Sequence, residues 1–169
     1  TELHFNNSEP KIKTNSNVNE EVYIALYVGD IDGAVSEDWF FFYEKLVDFY
    51  EEEEILVTFS FYPFTIQDDK NFNRIFKKIY ESKYIELMQK GYRGDELEMR
   101  MDELPFQEQL EIIRNGQEHF RNKIKEITKT NNVEMPLLYN QIGSRFTEDT
   151  KRAVESLGFK FYFDVYVGE

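Results

Sequence analysis

Short apolar runs alternate with amphipathic helical stripes along this chain, and that alternation restricts its fold more than any other feature. Residues 22–28 form a continuous β-prone run, as expected of a strand covered on both faces. Gly29-Asp30-Ile31-Asp32-Gly33 ends it with turn chemistry. A helix is expected from Ser36 as N-cap, with Glu37 and Asp38 facing the positive end of its dipole. Trp39, Phe42, Tyr43, Leu46 and Tyr50 give it an apolar stripe, and the Glu run 51–54 reads as its solvated end. A second run, 55–62, stops at Pro63, and Phe72, Ile75, Phe76, Ile79 and Tyr80 then recur at helical spacing. A third run from Tyr84 leads into the turn Lys90-Gly91-Tyr92-Arg93-Gly94. Phe106, Leu110, Ile113, Gln117, Phe120, Ile124 and Ile127 predict one long helix starting near Pro105. Residues 135–139 read as a fourth strand. Thr147 caps a last helix closed by Gly158, and 159–167 alternate as a fifth strand.

Five such strand–helix steps build an α/β fold whose parallel sheet has right-handed crossovers, either open or curled into a barrel. Active sites in both gather at the C-terminal strand ends. The positions to inspect are therefore Asp30 and Asp32, Tyr62, residues 90–94, and Tyr139 with Asn140. One domain is expected over 21–169, preceded by a flexible polar tail or linker over 1–20. A net charge of -13 opposes nucleic-acid binding, which needs basic patches to replace counterions on phosphate. With no cysteine, disulfides, thiolate metal sites and a Cys nucleophile are excluded. No apolar run approaches the roughly 18 residues of a membrane span. Of the histidines, His4 is expected in the exposed tail and His119 on the surface or a groove of the long helix.

Taken in order, these strand ends resemble polysaccharide deacetylase-like domains of the NodB homology family, over roughly residues 22–165. The first strand and its Asp turn lie where the family has paired aspartates, and residues 57–63 look like its second strand. Residues 86–92 resemble its strand and histidine motif. Leu104-Pro105-Phe106-Gln107-Glu108-Gln109, followed by Ile112, Ile113 and Gly116, resembles the helix where members carry a Gln and a mid-helix Gly. Residues 137–140, then Thr147, Thr150 and Leu157-Gly158-Phe159, resemble the family's next strand, helix and Gly-Phe. The resemblance implies an incomplete or irregular (β/α) barrel, an extracellular or cell-surface setting, and metal-dependent deacetylation of carbohydrate. One Asp of the family is a general base, while a second Asp and two His hold a divalent metal that polarises the acetamide and activates water.

The match departs from that pattern at the chemistry. Asp32 falls on the metal-binding Asp, but Ile31 stands at the base, leaving Asp30 as the candidate to replace it. Lys90 and Gly94 stand where the two His belong; an ammonium cannot ligate and glycine has no side chain. No His₂Asp site can be assembled from these parts, and a divalent metal is implied only for an active enzyme; a hard cation on Asp30, Asp32 and Asp95 remains the alternative. The resemblance thus implies a weakly active or inactive domain that binds glycan. Its contacts would be Tyr62, Lys90, Tyr92, Arg93, Tyr139 and Asn140, with a partner or further chain covering an edge strand. A rival is the first motif of haloacid-dehalogenase-type phosphohydrolases, with Asp30 as nucleophile, Asp32 as acid/base and Mg²⁺ beside them. Ala34 replaces the usual Thr of that motif.

Overall fold

Strand order follows chain order. In the computed structural model, β1 (Leu26–Ile31), β2 (Val57–Phe61), β3 (Ile85–Lys90), β4 (Leu138–Asn140) and β5 (Phe161–Phe163) form one sheet, ordered β1-β2-β3-β4-β5. Every neighbouring pair is parallel. Between them run α1 (Glu37–Glu52), α2 (Lys70–Glu81), the short α3 (Glu96–Met99), α4 (Phe106–Thr128) and α5 (Glu148–Ser156). The structure describes residues 26–31, 37–66, 69–144 and 146–163. The expected α/β fold with a parallel sheet is what forms.

An order that never reverses has a consequence. Right-handed crossovers that always step the same way deliver their helices to one face of the sheet. The register agrees, because Phe61, Gln89, Tyr139 and Tyr162 are successive partners and so share a face. On that face Val57, Phe59 and Phe61 pack with Phe40, Tyr43 and Val47 of α1, with α2, and with Phe120 and Ile124 of α4. Tyr139 packs there with Leu110 and Ile113 of α4 and with Ala153 and Val154 of α5. Phe61 sits within an aromatic cluster, its ring 5.2 Å from Phe76, 6.2 Å from Phe120 and 6.4 Å from Phe72. Such edge and tilted contacts are the arrangements that aromatic quadrupoles favour.

Several boundaries differ from the sequence expectations, each for a physical reason. Gly29, Asp30 and Ile31 belong to β1 rather than to a turn, with the register slipping between Val28 and Ile31. A glycine in a strand commonly marks such an irregularity. In α1 Phe40, Tyr43 and Val47 are buried and Leu46 and Tyr50 pack against the core, while Trp39 and Phe42 are about half exposed, so the expected stripe holds at Tyr43, Leu46 and Tyr50 and shifts at its start. In a run of aromatics several stripes have helical spacing, and only docking selects among them. β4 begins at Leu138 because Pro136 lacks a ladder N–H. The tail over 1–20, the strand start at 22–25, Asp32, the Ser36 cap and the strand end over 164–167 lie outside the described residues. Among those described, no helix is long and apolar enough to cross a membrane.

Candidate functional site

The face opposite the helices carries Tyr27, Thr58, Ser60, Glu86, Met88, Lys90, Leu138 and Asn140, as the pairings Tyr27↔Thr58, Thr58↔Glu86, Ser60↔Met88, Met88↔Leu138 and Lys90↔Asn140 require. No described helix packs on it, yet Ser60 and Met88 are wholly buried. The explanation is curvature. Tyr27 lies along its own strand, so that a Cβ on Gly29 would sit 2.6 Å from Tyr27 Cε1 and 2.8 Å from its hydroxyl. The Asn140 carboxamide nevertheless donates to that hydroxyl at 3.2 Å, from β4 to β1. Three strand spacings on a flat sheet amount to roughly 14 Å, which so short a side chain does not span. The face is therefore concave, with Ser60 and Met88 on its floor beneath the Tyr27–Asn140 bridge.

Gly29 makes this bridge possible, and Gly29→Ala is expected to break it. The new methyl meets only the end of a flexible side chain, so the stability loss is about 1 kcal/mol, the net worth of one hydrogen bond. Displacement of the Asn140 side-chain amide signal in an NMR spectrum, with a urea midpoint lower by about 0.5 M, is the expected result. An unmoved Asn140 signal would show that the ring does not lie over residue 29.

At the C-terminal rim of the concave face stand Lys90, whose Nζ lies 5.3 Å from the centre of the Tyr62 ring, and the turn over residues 91–94. This turn is built around a buried acid. Glu98, 2% exposed, accepts hydrogen bonds from the backbone N–H groups of Tyr92 (2.9 Å), Arg93 (2.8 Å) and Gly94 (3.2 Å). Gly91 at φ +49° and Gly94 at φ +78° turn those donors inward, a left-handed backbone that glycine adopts without strain. A Cβ on Gly91 would overlap the Glu98 carboxylate. Asp95 caps α3 by accepting from Glu98 N–H at 3.1 Å. Burial pushes the Glu98 carboxyl above its ordinary range, against the lowering pull of its three backbone donors.

Two buried amides brace the turn from the sheet. Gln89 Nε2 donates to Gly91 O at 2.9 Å and to Ile113 O of α4 at 3.2 Å. Gln141 Nε2 donates to Glu98 O at 3.0 Å, and Gln141 Oε1 accepts from Tyr139 hydroxyl at 2.8 Å. Gly116 lets α4 approach: a Cβ there would lie 2.5 Å from Gln89 Nε2 and 2.9 Å from Gly91 O. The outer surface of the turn is aromatic. Phe64, Tyr92 and His119 form a cluster with centroids 5.6–6.0 Å apart, and the Arg93 guanidinium lies 5.0 Å from the Phe64 ring and 5.3 Å from that of Tyr92. Burial depresses the His119 pKa, helped by the Lys123 charge.

The structure brings Tyr62, Lys90, Tyr92, Arg93 and Asn140 together at one rim, and separates Tyr139 from them. Tyr139 is wholly buried on the helix side, with burial driving its phenol pKa well up. Neighbouring residues of a strand face opposite ways, so Tyr139 and Asn140 cannot both line the same surface. Tyr139 is therefore a core residue, a correction to its expected role. Asp30 lies in β1, and Asp32 is outside the described residues. Tyr27 and Glu98 belong to the site although no sequence pattern places them there. Gly29 two residues after Tyr27 is the available signal for the first; for Glu98 none exists.

The family's metal does not fit this rim. A His at position 94 would need φ +78° and would press its Cβ to 3.2 Å from the Tyr62 ring, and position 90 presents an ammonium. Asp95 is committed to its helix cap. Among the described residues no group of three or more His, Asp or Glu side chains is placed to hold a metal ion. No family model matches the sequence, and no curated protein matches it.

Proposed function

We propose that the chain is a divergent polysaccharide deacetylase-like domain that binds carbohydrate outside the cell, without the family's metal-driven hydrolysis. The observation that carries this reading is the convergence of Tyr27, Tyr62, Lys90 and Asn140 at the C-terminal rim of a concave, helix-free sheet face. Phenol, ammonium and carboxamide groups there supply donors and acceptors for sugar hydroxyls, and the Tyr62 ring supplies a face for a pyranose. In this reading the sheet is the wall of an incomplete (β/α) barrel, which the unreversed strand order and one-sided helices support. Gln109 and Gly116, which lie in the stretch that carries the family likeness, are both buried in the contacts that set α4 against its surroundings; Gln109 accepts from Thr150 Oγ1 at 2.7 Å. The phosphohydrolase reading of Asp30 and Asp32 has no comparable support among the described residues.

Titrating chito-oligosaccharide against the protein should move the Tyr27, Tyr62 and Tyr92 ring signals in a saturable manner. Lys90→Ala should weaken that response by about tenfold, one charge-assisted hydrogen bond. Acetate release from the same sugar should stay at the protein-free rate with or without added divalent metal. Ring signals that ignore every glycan would remove the binding reading. Metal-dependent acetate release would instead restore the enzyme.

A further inference from the structure

We propose that the carbohydrate taken at this rim is an acidic one, its carboxylate held by the Arg93 guanidinium. The inference rests on the glycan-binding reading above and narrows its ligand to uronic-type sugars. Several other cations among the described residues are committed to carboxylates. Arg74, Lys78, Arg100 and Arg152 each pair with a carboxylate, to Glu44, Asp48, Glu103 and Asp149. Arg93 pairs with none among the described residues; its guanidinium rests on the Phe64 and Tyr92 rings.

The nearby acids explain why it is left so. Glu98 is turned inward onto three backbone N–H groups, one of them that of Arg93 itself at 2.8 Å. Asp95 is occupied by the N–H of Glu98. In a chain of net charge -13, the turn thus buries Glu98, ties Asp95 to a helix cap and presents the Arg93 cation outward. The side chain is exposed, and a guanidinium placed beside two rings keeps a fork of N–H donors that match a carboxylate bidentately. Phe64 is 50% exposed, so apolar surface continues beside that fork for the body of a sugar. The overall negative charge does not oppose this, since it is screened beyond about 8 Å at physiological salt and a short sugar senses the local field.

The test is isothermal titration of oligogalacturonate and of chito-oligosaccharide of equal length into the wild type, Arg93→Ala and Arg93→Lys. The acidic sugar should bind the wild type about tenfold tighter than the neutral one, the worth of one charge-assisted contact. Arg93→Ala should abolish that preference, and Arg93→Lys should recover only part of it, because an ammonium lacks the fork. Both variants should melt with the wild type, as the side chain is exposed. Equal affinity for the two sugars, or a preference that survives Arg93→Ala, overturns this inference while leaving carbohydrate binding in place. Failure of both sugars to bind removes the inference together with the reading beneath it.

Discussion

Gly116→Leu is expected to destabilise the fold by about 3–5 kcal/mol and to abolish ligand binding at the rim. Overpacking a close-packed site costs roughly 1–3 kcal/mol, and each buried polar group that loses its partner adds about 1–3 kcal/mol. Both penalties apply here. The first atom of the new side chain would already meet Gln89 Nε2 at 2.5 Å and the backbone oxygen of Gly91 at 2.9 Å. Backbone cannot swing aside as a side-chain tip does, so α4 must lift or the turn must move. Either displacement breaks the Gln89 bonds to Gly91 and Ile113, which tie β3, the turn and α4 together. Urea denaturation gives the stability loss, and Gly116→Ala should fall between wild type and Leu. A stable, binding-competent Leu variant would mean that α4 does not seat against the turn.

Glu98→Ala is the second large effect, on the order of 3 kcal/mol, because three backbone donors lose their acceptor at once. Part of the loss is recovered by water, since the turn is only partly buried. Glu98→Gln separates shape from charge. Burial raises the Glu98 pKa in the fold above its unfolded value, so protonation stabilises the folded state. That contribution is complete below the unfolded pKa and is lost as pH rises through the folded one. The stability of the wild type relative to Glu98→Gln should therefore be greatest in acid and fall as pH climbs beyond the ordinary carboxylate range. Urea midpoints of both proteins across that range decide the matter. A gap that widens with rising pH would show that the three N–H donors outweigh burial.

The fold is legible where one periodicity dominates. Phe72, Ile75, Phe76 and Ile79 admit a single helical face, and those four residues are the ones α2 buries. In α1 the aromatics at 39–43 admit several faces, and spacing alone places Tyr43 correctly but selects Trp39 and Phe42 where docking buries Phe40. The rim is legible in outline, because chain order and the C-terminal strand ends locate Tyr62, Lys90 and Asn140. Strand parity, which assigns Asn140 to the concave face and Tyr139 to the core, needs the register. Glu98 is not legible at all. Asp95-Glu96-Leu97-Glu98 looks like the exposed start of a helix, and its last acid is buried only because Gly91 and Gly94 turn three amides toward it. Tyr27 is hidden for a related reason: its partner is 113 residues away, across a curvature that no local pattern encodes.

The sheet whose order matches the chain also has a history written into it. Each strand pairs with the one synthesised just before it, so a ribosome releasing this chain adds every new β–α unit to an edge that already exists. No strand has to be inserted between two others, although each parallel pairing still closes across a crossover, which slows it. Each unit added covers the edge left by the one before it, while the outer edge of β1 has no strand partner among the described residues.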